Sequence, residues 1–367
     1  MSRDEDKPTF EDMLEEFLQD LDERENHPPK LRSEKQEEIR EWIQKRHPFV
    51  HPERYIGKDI KGLDEFKQVL ALTSISPFSP IHVVAIGDPA TGKSQIAQAF
   101  QDLTPRTRYC LGSKMTAAGL TLARLGNRVM VGVLPACHIG AAYIDEFNLT
   151  PPDDAAAVLS TMQDGYFTVD KAFLKADYVP AKVSIVAMAN PRGDYWISAN
   201  PHQIRRQMPF RSLALLTRFH IIYIVLRPSV EEFGEISEHQ LKFHMGLDSC
   251  SFDERERELW KSAVEALRYF RPKWGGRTKT KRRLIAAFTM EAYRQERRRG
   301  VAIPVSPRLN EGVSNLAEAF ARANMREDIR MRDVMEAIRL AVNSLIACGL
   351  DPAPVKKRLA EVLKPHA

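Results

Sequence analysis

The stretch that most constrains this chain runs from Ile81 to Ser94. An apolar run, Ile81 to Ile86, meets Gly87-Asp88-Pro89-Ala90-Thr91-Gly92-Lys93-Ser94, and a helical pattern follows in Gln95 to Phe100. The spacing is G-x-x-x-x-G-K-[ST], set between a strand and a helix as the motif requires. Backbone N–H groups of such a loop, and of the helix N-terminus after it, point at an anion. Lys93 would reach the β- and γ-phosphates of ATP, and the Ser94 hydroxyl would ligate Mg²⁺. The loop implies an α/β fold built on a doubly wound parallel sheet.

Composition narrows the setting. At 367 residues the chain has room for two domains and a large core. No apolar run approaches the length of a bilayer span. Met1 to Lys7 lacks the apolar segment of a signal peptide. Cys110, Cys137, Cys250 and Cys348 show no C-x-x-C spacing, which argues against a zinc site or a disulfide framework and fits a reducing cytoplasm. The net charge of +5 permits contact with nucleic acid without demanding it.

Residues 1–47 read as a charged helical segment. Phe10, Met13, Leu14, Phe17, Leu18 and Leu21 recur at helical spacing behind Thr9 as N-cap. A second helix from Ser33 to about Lys45 carries Ile39, Trp42 and Ile43. The pair either packs on the main domain or serves as a regulatory arm. Residues 48–230 read as the α/β core, and residues 231–367 as a helical domain with a linker.

Further chemistry lies downstream of the loop. Ile139 to Ile144 is an apolar strand ending in Asp145-Glu146. Asp145 would hold Mg²⁺ through its water shell, and Glu146 would orient and polarise the attacking water. Gly165 to Pro180 reads as a hairpin with Lys171 and Lys175 near its tip. Asn190 ends the apolar run Val183 to Ala189, where a γ-phosphate and its water would sit. Arg218 precedes the apolar run Ile221 to Leu226 and suits an arginine finger acting on a neighbouring subunit. Arg277, Lys279, Lys281, Arg282 and Arg283 form one basic cluster, and Arg294, Arg297, Arg298 and Arg299 another. Both read as solvated faces or as DNA contacts.

Taken in order, these motifs describe an AAA+ ATPase, and the residues between them resemble the MCM family of replicative-helicase ATPases. Gly87 to Ser94 resembles that family's GDPGTAKS, Ala118-Gly119-Leu120-Thr121 its AGLT, and Ile144-Asp145-Glu146-Phe147 its IDEF. Ala189-Asn190-Pro191 resembles sensor 1, and Thr217-Arg218-Phe219 the arginine finger. Ile303 to Arg308, with Glu311, resembles the sensor 2 helix. The likeness covers about residues 50–345. It implies an AAA+ domain followed by a helical lid, Mg·ATP as cofactor, and catalysis by Glu146, Asn190, Arg218 and Arg308. It further implies DNA contact through Lys171, and self-association into a ring or hexamer.

The chain also departs from the family. Only about 50 residues precede the ATPase region, where the family carries an oligonucleotide-binding fold. The residues after Gly349 are too few for its winged helix. The segment from Thr121 to Gly132 is shorter than the family's helix-2 insert. Lys171-Ala172-Phe173 stands where the family favours KAG, and His220 replaces an Asp after the finger. The expectation is therefore a reduced, archaeal-type MCM-like motor or accessory coupled to DNA. The alternatives are a degenerate nucleotide-binding paralogue with little turnover, or a remodeller of the magnesium-chelatase or MoxR kind.

Overall fold

A computed structural model describes residues 9–364, apart from 30, 127, 172–173, 211–212, 248–251 and 299. In chain order, α1 (Phe10–Asn26), α2 (Ser33–Arg46) and α3 (Asp64–Ser74) lead to β1 (Val83–Gly87) and α4 (Lys93–Leu103). Next come β2 (Thr107–Leu111), α5 (Ala117–Leu120), β3 (Leu122–Leu125), β4 (Arg128–Val131), α6 (Val133–Ala136) and β5 (Gly140–Asp145). α7 (Pro152–Asp164), β6 (Tyr166–Lys171), β7 (Leu174–Pro180), β8 (Val183–Ala189), α8 (Pro201–Arg206) and β9 (Ile221–Val225) complete the α/β part. The helices α9 (Val230–His244), α10 (Glu254–Tyr269), α11 (Thr278–Arg297), α12 (Arg308–Ala323), α13 (Met331–Ile346) and α14 (Pro352–Leu363) follow.

The central sheet is parallel, in the order β2-β5-β8-β1-β9. Its inner strands are buried along their length apart from Asp145, as continuous apolar runs covered on both faces must be. Strand order reverses at β1, so the carboxyl ends of β5, β8 and β1 open one crevice at a topological switch point. The registers Ile144↔Ala187 and Ile86↔Ala189 bring Asp145, Asn190 and Gly87 to that same end.

Two antiparallel hairpins stand off this sheet, β3–β4 and β6–β7. The first occupies the short segment between Thr121 and Gly132. Helix α1 packs against β4 and β7, one strand of each hairpin. Its capping box pairs Thr9 with Asp12, and its apolar face buries Phe10 and Leu21. The Arg124 guanidinium lies 4.2 Å over the Phe10 ring, and Lys182 pairs with Glu25 near the helix's other end. The packed-helix reading of this segment is the one the fold adopts.

The helical lid is joined to the core by two buried arginines. Arg268 Nε donates to Ser74 O at 2.9 Å and its Nη2 to Pro105 O at 2.7 Å. Arg322 Nε donates to Phe270 O at 2.7 Å and its Nη1 to Ser76 Oγ at 2.9 Å. Both side chains have 0% exposure. Around them α12 packs on α3, α13 on β9, and Trp260 of α10 on Phe49, Trp42 and Phe100. Lys281 is part of this packing: it is buried and donates to Gly275 O and Ile329 O. It therefore drops out of the basic surface cluster that the sequence suggests. Arg299 and Cys250 lie outside the described residues.

Candidate functional site

The phosphate loop takes its shape from two glycines. A Cβ on Gly87 would come within 2.6 Å of Val225 on the neighbouring strand, so only glycine allows β1 to end there. Gly92 has φ +84°, a left-handed conformation that costs glycine nothing, and it caps α4. Lys93 and Ser94 then open the helix.

Lys93 is turned inward. Its Nζ donates to Gly87 O at 2.9 Å, Asp88 O at 2.8 Å and Thr91 Oγ1 at 2.9 Å. Burial lowers its pKa to about 8, against the pull of Asp145 and Asp88. A buried ammonium held only by neutral oxygens is a cation prepared for an anion. Across the crevice, Ser94 Oγ donates to Asp145 Oδ2 at 2.5 Å. Tyr109 OH donates to the same oxygen at 2.6 Å, and the Glu146 N–H donates to Asp145 Oδ1 at 2.8 Å. The Tyr109 phenol is pushed up to about 12, chiefly by burial and then by its bond to Asp145. Glu146 has φ +52°, an uncommon conformation for a residue with a side chain, and its carboxylate accepts from Ser113 Oγ.

Asp88 shows what holds the loop from behind. It is 1% exposed, and its carboxylate accepts from the Trp196 N–H at 2.8 Å and from Arg227 Nε at 2.6 Å. Arg227 in turn lies 4.2 Å over the Tyr195 ring. The segment after Asn190 and the second residue past β9 are thereby tied to the phosphate loop. The sequence gives no sign of Tyr109, Ser113, Trp196 or Arg227 as site residues. An isolated Tyr–Asp or Ser–Glu bond between distant segments leaves no spacing pattern to read.

Gly87 to Ser94, Asp145, Glu146 and Asn190 therefore lie together at the carboxyl end of the sheet. Arg218 does not join them. The register Val83↔Ile221 puts it before the amino end of β9, and β1 is five residues long, about 17 Å of strand. Arg218 bonds Gln163 and lines a groove of about 960 Å³ together with Arg308. Phe147, Pro151, Leu159 and Phe210 supply its apolar wall. None of residues 87–94, 145, 146 or 190 lines this groove. Beside it, His220 stacks on His82 at 5.0 Å and accepts from the His82 N–H at 3.1 Å, and Glu311 lies 3.9 Å away. The histidine after Arg218 thus packs between the amino end of β1 and helix α12. Lys171 is the last residue of β6, at the hairpin tip, and its side chain lies outside the described residues.

The chain matches the family model of the MCM P-loop domain over residues 35–244 and that of the MCM AAA-lid domain over residues 264–345. Minichromosome maintenance protein MCM of Saccharolobus solfataricus is 27% identical over 313 residues, 81% of this chain and 44% of that protein. Zygotic DNA replication licensing factor mcm6-A of Xenopus laevis is 29% identical over 284 residues, 72% of this chain and 33% of that one. Probable DNA helicase MCM8 of Arabidopsis thaliana is 27% identical over 314 residues, 72% of this chain and 38% of its own length. The chain spans less than half the length of each of these relatives.

Proposed function

Because the chain belongs to the MCM family, we propose that it is an AAA+ ATPase that binds Mg·ATP, hydrolyses it at a site shared between two copies, and couples the cycle to DNA. The observation that carries this reading is the separation of its parts. Lys93, Ser94, Asp145 and Glu146 converge at the carboxyl end of the sheet, while Arg218 lies before the amino end of β9 and shares with Arg308 a groove that none of those four lines. In this reading neither arginine serves the nucleotide of its own copy, and each suits that of a neighbour in a head-to-tail assembly.

In this reading Gly87 to Ser94 hold the phosphates, and Lys93 exchanges its backbone carbonyls for phosphate oxygens. Ser94 and Asp145 would hold Mg²⁺, which supplies charge neutralisation on the phosphates. The Ser94 proton already goes to Asp145, so the hydroxyl lone pairs are free for a cation. Glu146 leaves Ser113 to polarise the attacking water, and Asn190 orients that water from the end of β8. Arg218 and Arg308 of the adjoining copy stabilise the charge that develops during transfer. Lys171 at the hairpin tip contacts DNA. We read the domain limits as 1–47, 48–230 and 231–367. The two family matches do not favour the magnesium-chelatase or MoxR reading.

The test is ATP turnover measured against protein concentration, with and without DNA. Specific activity should rise with concentration, and DNA should raise it further. Glu146→Gln should retain ATP binding and lose turnover by about 100-fold or more, the scale of a lost general base. Lys171→Ala should remove only the response to DNA. Turnover that is absent at every concentration would leave the chain a nucleotide binder without catalysis.

A further inference from the structure

We propose that Tyr109 is a positioning residue for the magnesium site, a second hydroxyl donor that clamps the Asp145 carboxylate beside Ser94. The inference rests on the Mg·ATP reading above and adds a residue from outside both the phosphate loop and the acidic pair.

Three donors converge on Asp145. Oδ2 accepts from Ser94 Oγ at 2.5 Å and from Tyr109 OH at 2.6 Å, and Oδ1 accepts from the Glu146 N–H at 2.8 Å. An ionised carboxylate offers about four acceptor sites. Both sites on Oδ2 are therefore taken, and one on Oδ1 remains. A carboxylate held this way cannot swing away from Ser94 without breaking two hydroxyl bonds at once. The remaining acceptor is then oriented before a hydrated cation arrives.

Tyr109 is itself well anchored. It sits in β2, paired with β5 through the register Tyr109↔Tyr143, and its own N–H donates to Gln101 Oε1 of α4. Helix α4 begins with Lys93 and Ser94. One residue thus bonds the helix that presents Ser94 and the strand end that presents Asp145. Phenylalanine would keep the ring and the backbone bond and remove the hydroxyl, with its bond to Asp145 and its contacts with Gln98 and Ser94. Partners that orient a metal-holding group are commonly worth 10- to 100-fold in metal affinity.

The experiment uses the full chain and its Tyr109→Phe variant. A fluorescent ATP analogue is titrated at graded Mg²⁺ and in EDTA, and thermal stability is measured alongside. The Mg²⁺ concentration giving half of the affinity gain should rise about tenfold or more in the variant. Affinity in EDTA and the melting temperature should stay the same. An unchanged Mg²⁺ requirement overturns the assignment. A lowered one overturns it too, because the phenol would then be occupying the place of a metal-bound water. Equal losses with and without Mg²⁺ would make Tyr109 a packing residue and also reject the proposal. A wild-type chain that binds no analogue at all is a different result and rejects the Mg·ATP reading itself.

Discussion

Lys93 is the site residue whose protonation a bound phosphate would govern. Burial depresses its pKa to about 8 in the free site. Phosphate oxygens favour the ammonium, so the bound site holds its proton to higher pH. Below about pH 8 both states carry the proton and affinity is flat. Above it, binding must take up a proton, and ATP affinity should fall by up to about tenfold per pH unit. Calorimetry at pH 9 in two buffers of different ionisation enthalpy should show that uptake, and at pH 7 it should not. Lys93 was readable in the sequence because its spacing from Gly87 is a fixed motif. Ser113, Trp196 and Arg227 were not, because the bonds they make to Glu146 and Asp88 join segments far apart in the chain.

At the scale of elements, α1 shows how a stripe of apolar residues becomes a structural part. Leu21 is fully buried, and the helix lies on one strand of each hairpin. Leu21→Ala should cost about 2–4 kcal/mol of local or global stability. Hydrogen exchange should locate the loss in the amides of β4 and β7 rather than in the central sheet. This helix was legible because its apolar positions repeat at 3.6 residues behind a capping box. Helix α9 was not. It has its own capping box at Ser229 and Glu232 but buries no residue, and Val230 and Phe233 stand 84% and 61% exposed among its acids. A helix without a core face gives no periodic signal against a body. The β3–β4 hairpin was hidden for a related reason: Leu125, Met130 and Val131 are exposed, so its strands do not alternate apolar-in and polar-out. Lys281 reads as surface in the sequence because charge alone does not reveal the carbonyls of Gly275 and Ile329 that enclose it.

At the scale of the whole molecule, the groove with Arg218 and Arg308 is separate from the crevice with Lys93, and Arg218 itself lies before the amino end of β9. If each serves a different copy, two crippled chains should repair one another. Lys93→Ala cannot hold nucleotide but keeps its groove, and Arg218→Ala keeps the crevice but lacks the finger. Each alone should be nearly inactive, and an equal mixture should regain a substantial part of wild-type turnover. Mixing that restores nothing would place the finger's action within one copy or remove it altogether. The sheet order and the ordered motifs were legible because parallel strands read as apolar runs and their carboxyl ends carry the chemistry. The placement of Arg218 was not, since it follows from register rather than from sequence distance.

Arg268 and Arg322 carry a mechanical consequence. To swing the lid away from the core would cost Arg268 its bonds to Ser74 O and Pro105 O and Arg322 its bond to Ser76 Oγ, and would open the packing that encloses both. The joint is riveted rather than hinged. Strain that reaches the lid finds no slack at this joint to take it up.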